Sequence, residues 1–149
     1  MTTSVDQAMT LFQQGFSCSQ AVCAAYAPSL GLSRELALKI AAGFGGGMGR
    51  QGEVCGAVTG AIMAIGLKTG SIEATDTAAK ENAYALTQQV IDQFKDRHGT
   101  ILCRELLGCD IGQPEGLRQA REAQLFTQRC PQFVQDAAEI VATLIKEKE

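Results

Sequence analysis

Thiols are the side chains in this sequence best suited to chemistry, and there are six: Cys18, Cys23, Cys55, Cys103, Cys109 and Cys130. A thiolate can act as nucleophile, redox group or soft metal ligand. The densest signal around one of them is Gly43 to Gly60, which reads GFGGGMGRQGEVCGAVTG. It holds eight of the sixteen glycines together with Cys55. Glycine reaches left-handed backbone angles and lets another group approach the main chain closely. There is no Cys-x-x-Cys, so the thioredoxin-like dithiol and the common zinc-ribbon spacing are both absent. Gly45-x-Gly47-x-Gly49 has no strand before it, and a dinucleotide fingerprint needs one. The Gly-Lys-Ser/Thr ending of a phosphate loop is missing too. Anion binding at the start of the following helix, with Arg50 as counter-charge, fits the residues. A flexible loop lying over the cysteines is the plainer reading. The one histidine, His98, stands beside Gly99 and reads as a charge partner for a helix end. Tyr26 and Tyr84 read as core. No Ser-His-Asp set or paired-carboxylate motif is present.

The elements that must position these groups are all helical. Val5 to Gln14 has helical spacing, with Ser4 as its cap. Ser17 caps a second helix from Cys18 to about Tyr26. Cys23 lies well round that helix from Cys18, at about 100° per residue. Ser33 starts a third helix, which ends at Gly43. A fourth begins near Glu53. Its small-residue face, Gly56, Gly60 and Ala64, suits close packing against another helix. The same face could serve a homodimer. Ser71 or Thr75 starts the longest helix, which runs to about Arg97 with Ala78, Ala79, Ala83, Leu86, Val90, Ile91 and Phe94 on its buried stripe. Ile101 to Leu107 is a short helix that Thr100 could cap, and Cys109 to Gly116 is a loop. A further short helix covers Leu117 to Leu125. Cys130 caps a last helix through Pro131 to about Lys146. Cys18, Cys55, Cys103 and Cys130 each fall at or near a helix start, where thiol ionisation is favoured. Four such starts could converge at one end of a bundle.

Bulk properties narrow the class. A chain of 149 residues fits one domain, 1–149, with one core. The net charge is -3 with no basic cluster, which argues against nucleic acid. The N-terminal residues lack a signal-peptide pattern. The longest apolar run, Ala57 to Leu67, is too short for stable membrane insertion. A cytoplasmic location is the default, and there structural disulfides are disfavoured. The expected fold is an all-α, single-domain bundle of about five or six main helices with a glycine-rich loop.

The order of these pieces resembles the C-GCAxxG-C-C family of redox-active proteins. The resemblance rests on Gly15-Phe16-Ser17-Cys18-Ser19-Gln20, the glycine stretch, Cys55-Gly56-Ala57-Val58-Thr59-Gly60, Cys103-Arg104-Glu105-Leu106, and Cys130-Pro131. It implies four hallmark cysteines: Cys18, Cys55, Cys103 and Cys130. Cys109 is close enough to Cys103 that either could be the third. In the first reading these four bind an iron–sulfur cluster or zinc for electron transfer or redox sensing. Gly45, Gly46, Gly47, Gly49 and Gly56 would then present main-chain N–H groups to the cofactor. In the second, the chain is a thiol–disulfide oxidoreductase in which Cys18 or Cys55 is the catalytic cysteine that attacks a substrate and a second cysteine resolves the intermediate. In the third, the cysteines are core filler in a non-enzymatic interaction module. The redox partner or small-molecule substrate is left open by all three.

Overall fold

Local sequence starts most of the helices. In the computed structural model, which describes residues 2–146, α1 (Ser4–Gln13) begins on a capping box. The Thr3 hydroxyl accepts the Asp6 N–H at 3.0 Å, and the Asp6 carboxylate accepts the Thr3 N–H at 3.2 Å. The cap is therefore Thr3 and not Ser4: Ser4 has Gln7 at the same spacing, but it is Thr3 and Asp6 that close the box. α2 (Cys18–Tyr26) uses the same device through Ser17 and Gln20. α3 (Arg34–Ala41) starts on the Ser33 hydroxyl, which accepts the Leu36 N–H.

Five more helices follow: α4 (Gly56–Thr69), α5 (Thr77–His98), α6 (Cys103–Leu107), α7 (Pro114–Glu122) and α8 (Cys130–Leu144). The described residues are thus all-α, without a strand. They hold eight helices of five residues or more, slightly above the five or six expected. α7 starts earlier than Leu117 because Pro114, with its fixed φ, occupies its first turn. α4 starts at Gly56 and not near Glu53. Residues 53–55 instead run extended beside residues 101–103: Cys55 N–H donates to Ile101 C=O and Cys103 N–H to Glu53 C=O, each at 2.7 Å.

The core is built on α2 and α4. Seven of the nine residues of α2 are buried. Gly56 and Gly60 let α4 lie directly on it. A Cβ at Gly60 would come within 2.7 Å of the Ser19 carbonyl and 3.3 Å of the Cys23 nitrogen. The small-residue face is spent inside the chain, so it does not offer itself to a second copy. α1, α5 and α8 pack around this pair. The buried Tyr26 hydroxyl donates to Ala138 C=O of α8 at 2.7 Å.

α5 departs from expectation at its first half. Its cap is Asp76, whose side chain accepts the Ala79 N–H, and not Ser71 or Thr75. Only Val90 and Phe94 are fully buried; Ala78 is exposed, and Tyr84, expected in the core, is 56% exposed. Apolar periodicity marks which side of a helix faces inward, not how far the partner extends along it. His98 ends the helix, as its position suggested, and joins it to α8. Its Nε2 lies 2.7 Å from Asp136 Oδ2, with Phe94 and Phe133 packed on its ring.

The glycine stretch is not an open loop. After α3 it makes a 3-10 turn, Ala42–Phe44, and then winds the other way. Gly46, Gly47, Met48, Gly49 and Arg50 have φ of 65, 68, 67, 60 and 65°. This is a left-handed turn five residues long. It is held by Arg50 N–H to Gly45 C=O, Gly52 N–H to Gly46 C=O and Glu53 N–H to Gly47 C=O. Left-handed backbone costs roughly 1–2 kcal/mol for a residue with a Cβ. Three of the five are glycine, which confines that cost to Met48 and Arg50.

Candidate functional site

Four helices begin on cysteines or next to one. Cys18, Cys103 and Cys130 are the first residues of α2, α6 and α8, and Cys55 is the residue before α4. Cys130 is one residue inside its helix; the cap position belongs to Arg129. All four cysteines line a single cavity of about 760 Å³. Gly45, Gly46, Gly49 and Gly56 line it as well. Gly47 does not. It is buried behind the wall, where a Cβ would meet the Cys103 Cβ at 2.8 Å and the Glu53 nitrogen at 2.6 Å. Cys23 is buried in the core on another face of α2. Cys109 is half-buried and also away from the cavity, so the cysteine facing it from this part of the chain is Cys103.

Cys18 and Cys55 both line the cavity. The neighbouring Cys55 thiol, as a donor toward the Cys18 sulfur, is the main reason the Cys18 ionisation drops from the usual 9.0 to about 7. Burial works against the drop. The N–H groups of Gly46, Ser19 and Cys18 itself add to it. A Cβ at Gly56 would come within 2.5 Å of the Cys18 sulfur, so glycine there leaves room for that sulfur. Cys55, as donor to a thiolate, is pushed well above 9.0, first by that bond and then by burial and the Cys18 charge. Burial, followed by the Cys18 charge, pushes Cys103 up to about 12. The same causes, with Cys103 added, push Cys130 up to about 12. Near neutral pH Cys18 is therefore about half ionised, beside three thiols that stay protonated.

These values give stability a definite pH profile. Cys18 ionises more easily folded than unfolded, so its contribution is present above pH 9 and lost as pH falls through 7. Cys103 and Cys130 do the opposite: theirs is present below pH 9 and lost as pH rises through 12. With Cys55 and Cys23 also raised, the reduced protein should be most stable between about pH 8 and 9, the Cys18 part contributing on the order of 1–2 kcal/mol over neutral pH. Urea unfolding with excess reductant, below pH 7, near 9 and above it, checks this. A stability that falls steadily from neutral to pH 9 contradicts the ionic state assigned to Cys18.

In donor type, four thiols suit an iron–sulfur cluster or a tetrahedral zinc. Their placement does not form a site for a single ion. Among the described residues no three His, Cys, Asp or Glu side chains are grouped so that they could hold a metal ion. All four thiols line the same cavity.

Residues 16–144 match the family model described as "Putative redox-active protein (C_GCAxxG_C_C)". The chain belongs to this family. The matched span begins just before the Ser17 cap and takes in α2 to α8. Where the C_GCAxxG_C_C name writes Gly-Cys-Ala, this member reads Cys55-Gly56-Ala57. That order places the sulfur at the helix cap and the glycine against Cys18. No curated protein and no solved structure matches the chain. No helix among the described residues is long and apolar enough to cross a membrane.

Arg50, named from the sequence as a counter-charge, lines the cavity. The rest of the wall had no such signal: Phe12, Phe16, Phe126 and Phe133 line it, together with Arg121. The phenylalanines come from α1, the α1–α2 link, the Leu125–Gln128 turn and α8. No spacing connects them, so only the packed fold brings them together. One weak signal was available: the chain has just six phenylalanines and no tryptophan.

Proposed function

We propose that this chain is a thiol–disulfide redox protein whose working pair is Cys18 and Cys55. The observation that carries the reading is the placement of Cys18 and Cys55 in one cavity on either side of Gly56, where a Cβ would come within 2.5 Å of the Cys18 sulfur. The Cys18 thiolate attacks a substrate disulfide. A mixed disulfide forms, and the first substrate sulfur leaves and takes up a proton. Cys18 then no longer carries the charge that kept Cys55 protonated. Cys55 loses its proton and attacks the Cys18 sulfur, and the second substrate thiol leaves. Two electrons and two protons have passed from the dithiol to the substrate, and Cys18 and Cys55 are joined. An external thiol reductant resets the pair. Through both steps the N–H groups of Gly46 and Ser19 hold the Cys18 sulfur, while Cys103 and Cys130 stay protonated and frame the cavity.

Mild oxidation with a small disulfide, followed by intact-mass and peptide analysis, tests this. The expected product is one Cys18–Cys55 disulfide that a dithiol reopens. A first disulfide between another pair, or six inert thiols, overturns it. The sharing of one cavity by four thiols favours a second reading, a metal or iron–sulfur cluster held by Cys18, Cys55, Cys103 and Cys130. Stoichiometric iron or zinc in protein prepared without oxygen, lost on replacing Cys103 or Cys130 with serine, would establish that reading in place of the first.

A further inference from the structure

Resting on Cys18 as the attacking group, we propose that the cavity binds a small acidic disulfide with an apolar, ring-bearing body. Its charge meets Arg50 and Arg121, and its rings meet the phenylalanine wall.

Charge is the first argument. The chain is acidic overall, at -3, yet the cavity is lined by two arginines and by no Asp or Glu. Other arginines are engaged: Arg97, Arg104 and Arg118 pair with carboxylates, and Arg129 donates to the Leu106 and Leu107 carbonyls. None of the ion pairs among the described residues uses Arg50 or Arg121. A thiolate at Cys18 would repel an anionic ligand, and these two cations offset that repulsion.

Arg50 is held in place by the left-handed turn. It is one of two non-glycine residues of that turn with positive φ. Its side-chain stem lies over Gly46, where a Cβ would come within 2.9 Å of Arg50 Cγ. Gly46 is also the residue whose N–H bonds the Cys18 sulfur. One strained turn thus presents a cation and the nucleophile's hydrogen-bond donor to the same cavity, and strain of this kind gathers at functional sites.

Apolar shape is the second argument. Four of the six phenylalanines in the chain line this cavity. Its volume, about 760 Å³, is that of a small-molecule site. Aromatic walls with a few placed charges bind compact ligands that have an apolar body and a polar end.

The test compares two ring disulfides on the reduced, full-length protein. Dithiobis(nitrobenzoate) carries carboxylates, and dithiodipyridine carries none. Release of the coloured thiol is followed by stopped flow. Replacing both arginines (Arg50→Gln with Arg121→Gln) should slow dithiobis(nitrobenzoate) about tenfold. Dithiodipyridine should keep its rate within about twofold, which also shows that the variant folds. Lys95→Gln, remote from the cavity, should change neither rate. Equal slowing of both probes, or no slowing of either, overturns the acidic-disulfide assignment. If dithiodipyridine still yields the Cys18–Cys55 disulfide in that case, the working pair stands without this substrate class. If neither probe reacts at Cys18 in the unsubstituted chain, the pair fails and the substrate assignment fails with it.

Discussion

Replacing Cys55 with alanine raises the ionisation of Cys18 from about 7 back toward 9.0. The change removes the largest cause of the drop, the thiol that donates to the Cys18 sulfur. The rate consequence follows from two opposed effects. At neutral pH a thiol at 7 is half ionised, whereas one at 9 is about one per cent ionised, a loss of roughly fiftyfold in thiolate. A more basic thiolate is intrinsically more reactive, by roughly eightfold over that interval. Alkylation of Cys18 at neutral pH should therefore slow by about sixfold. Above both ionisations only the second effect remains, and the variant should react roughly eightfold faster than the native protein. The two pH–rate profiles must cross. Iodoacetamide labelling read by peptide mass measures them, with Cys18→Ser to identify the phase. Profiles that superimpose would show that Cys55 does not set the Cys18 charge.

A Gly47→Ala substitution should destabilise the fold by about 2–5 kcal/mol. Roughly 1–2 of this is left-handed backbone with a Cβ. The remainder is overpacking, typically about 1–3 kcal/mol. The new methyl group would sit 2.6 Å from the Glu53 nitrogen and 2.8 Å from the Cys103 Cβ. Neither can yield easily: Glu53 accepts from Cys103 N–H, and Cys103 opens α6. Gly49→Ala is the control. It has the same hand, with φ at 60°, but nothing within 4 Å of a new Cβ. It should lose only the backbone part. Urea unfolding of the two variants separates the contributions, and equal losses would mean that contact with Cys103 is unimportant.

What could be read in advance was local. The α2 start was legible because Ser17 and Gln20 have capping-box spacing, and that fixed Cys18 at a helix N-terminus. The cysteine order was legible too, and it led to the family. What could not be read depends on partners distant in sequence. α4 starts three residues later than Glu53 because residues 101–103 pair with 53–55. Tyr84 is exposed because it lies off the side of α5 on which Ala83, Leu86 and Val90 turn inward. The handedness of the glycine turn was open to glycine but not forced by it: Met48 and Arg50 share that hand, and neither residue type announces it. The cavity wall is the extreme case, since its phenylalanines come from four separate segments.

The left-handed turn divides the site's electrostatics into two kinds that respond differently to ionic strength. Gly46 reaches the Cys18 sulfur with a main-chain N–H, a short contact that mobile ions do not enter. Arg50, four residues on in the same turn, is exposed. Salt screens charges exposed to solvent over about 10 Å at 0.1 M and screens buried contacts far less. Rising salt therefore weakens the attraction of an anion to the rim while the sulfur keeps its charge. The surroundings govern how often a charged ligand arrives, and the fold governs whether the sulfur is ready for it.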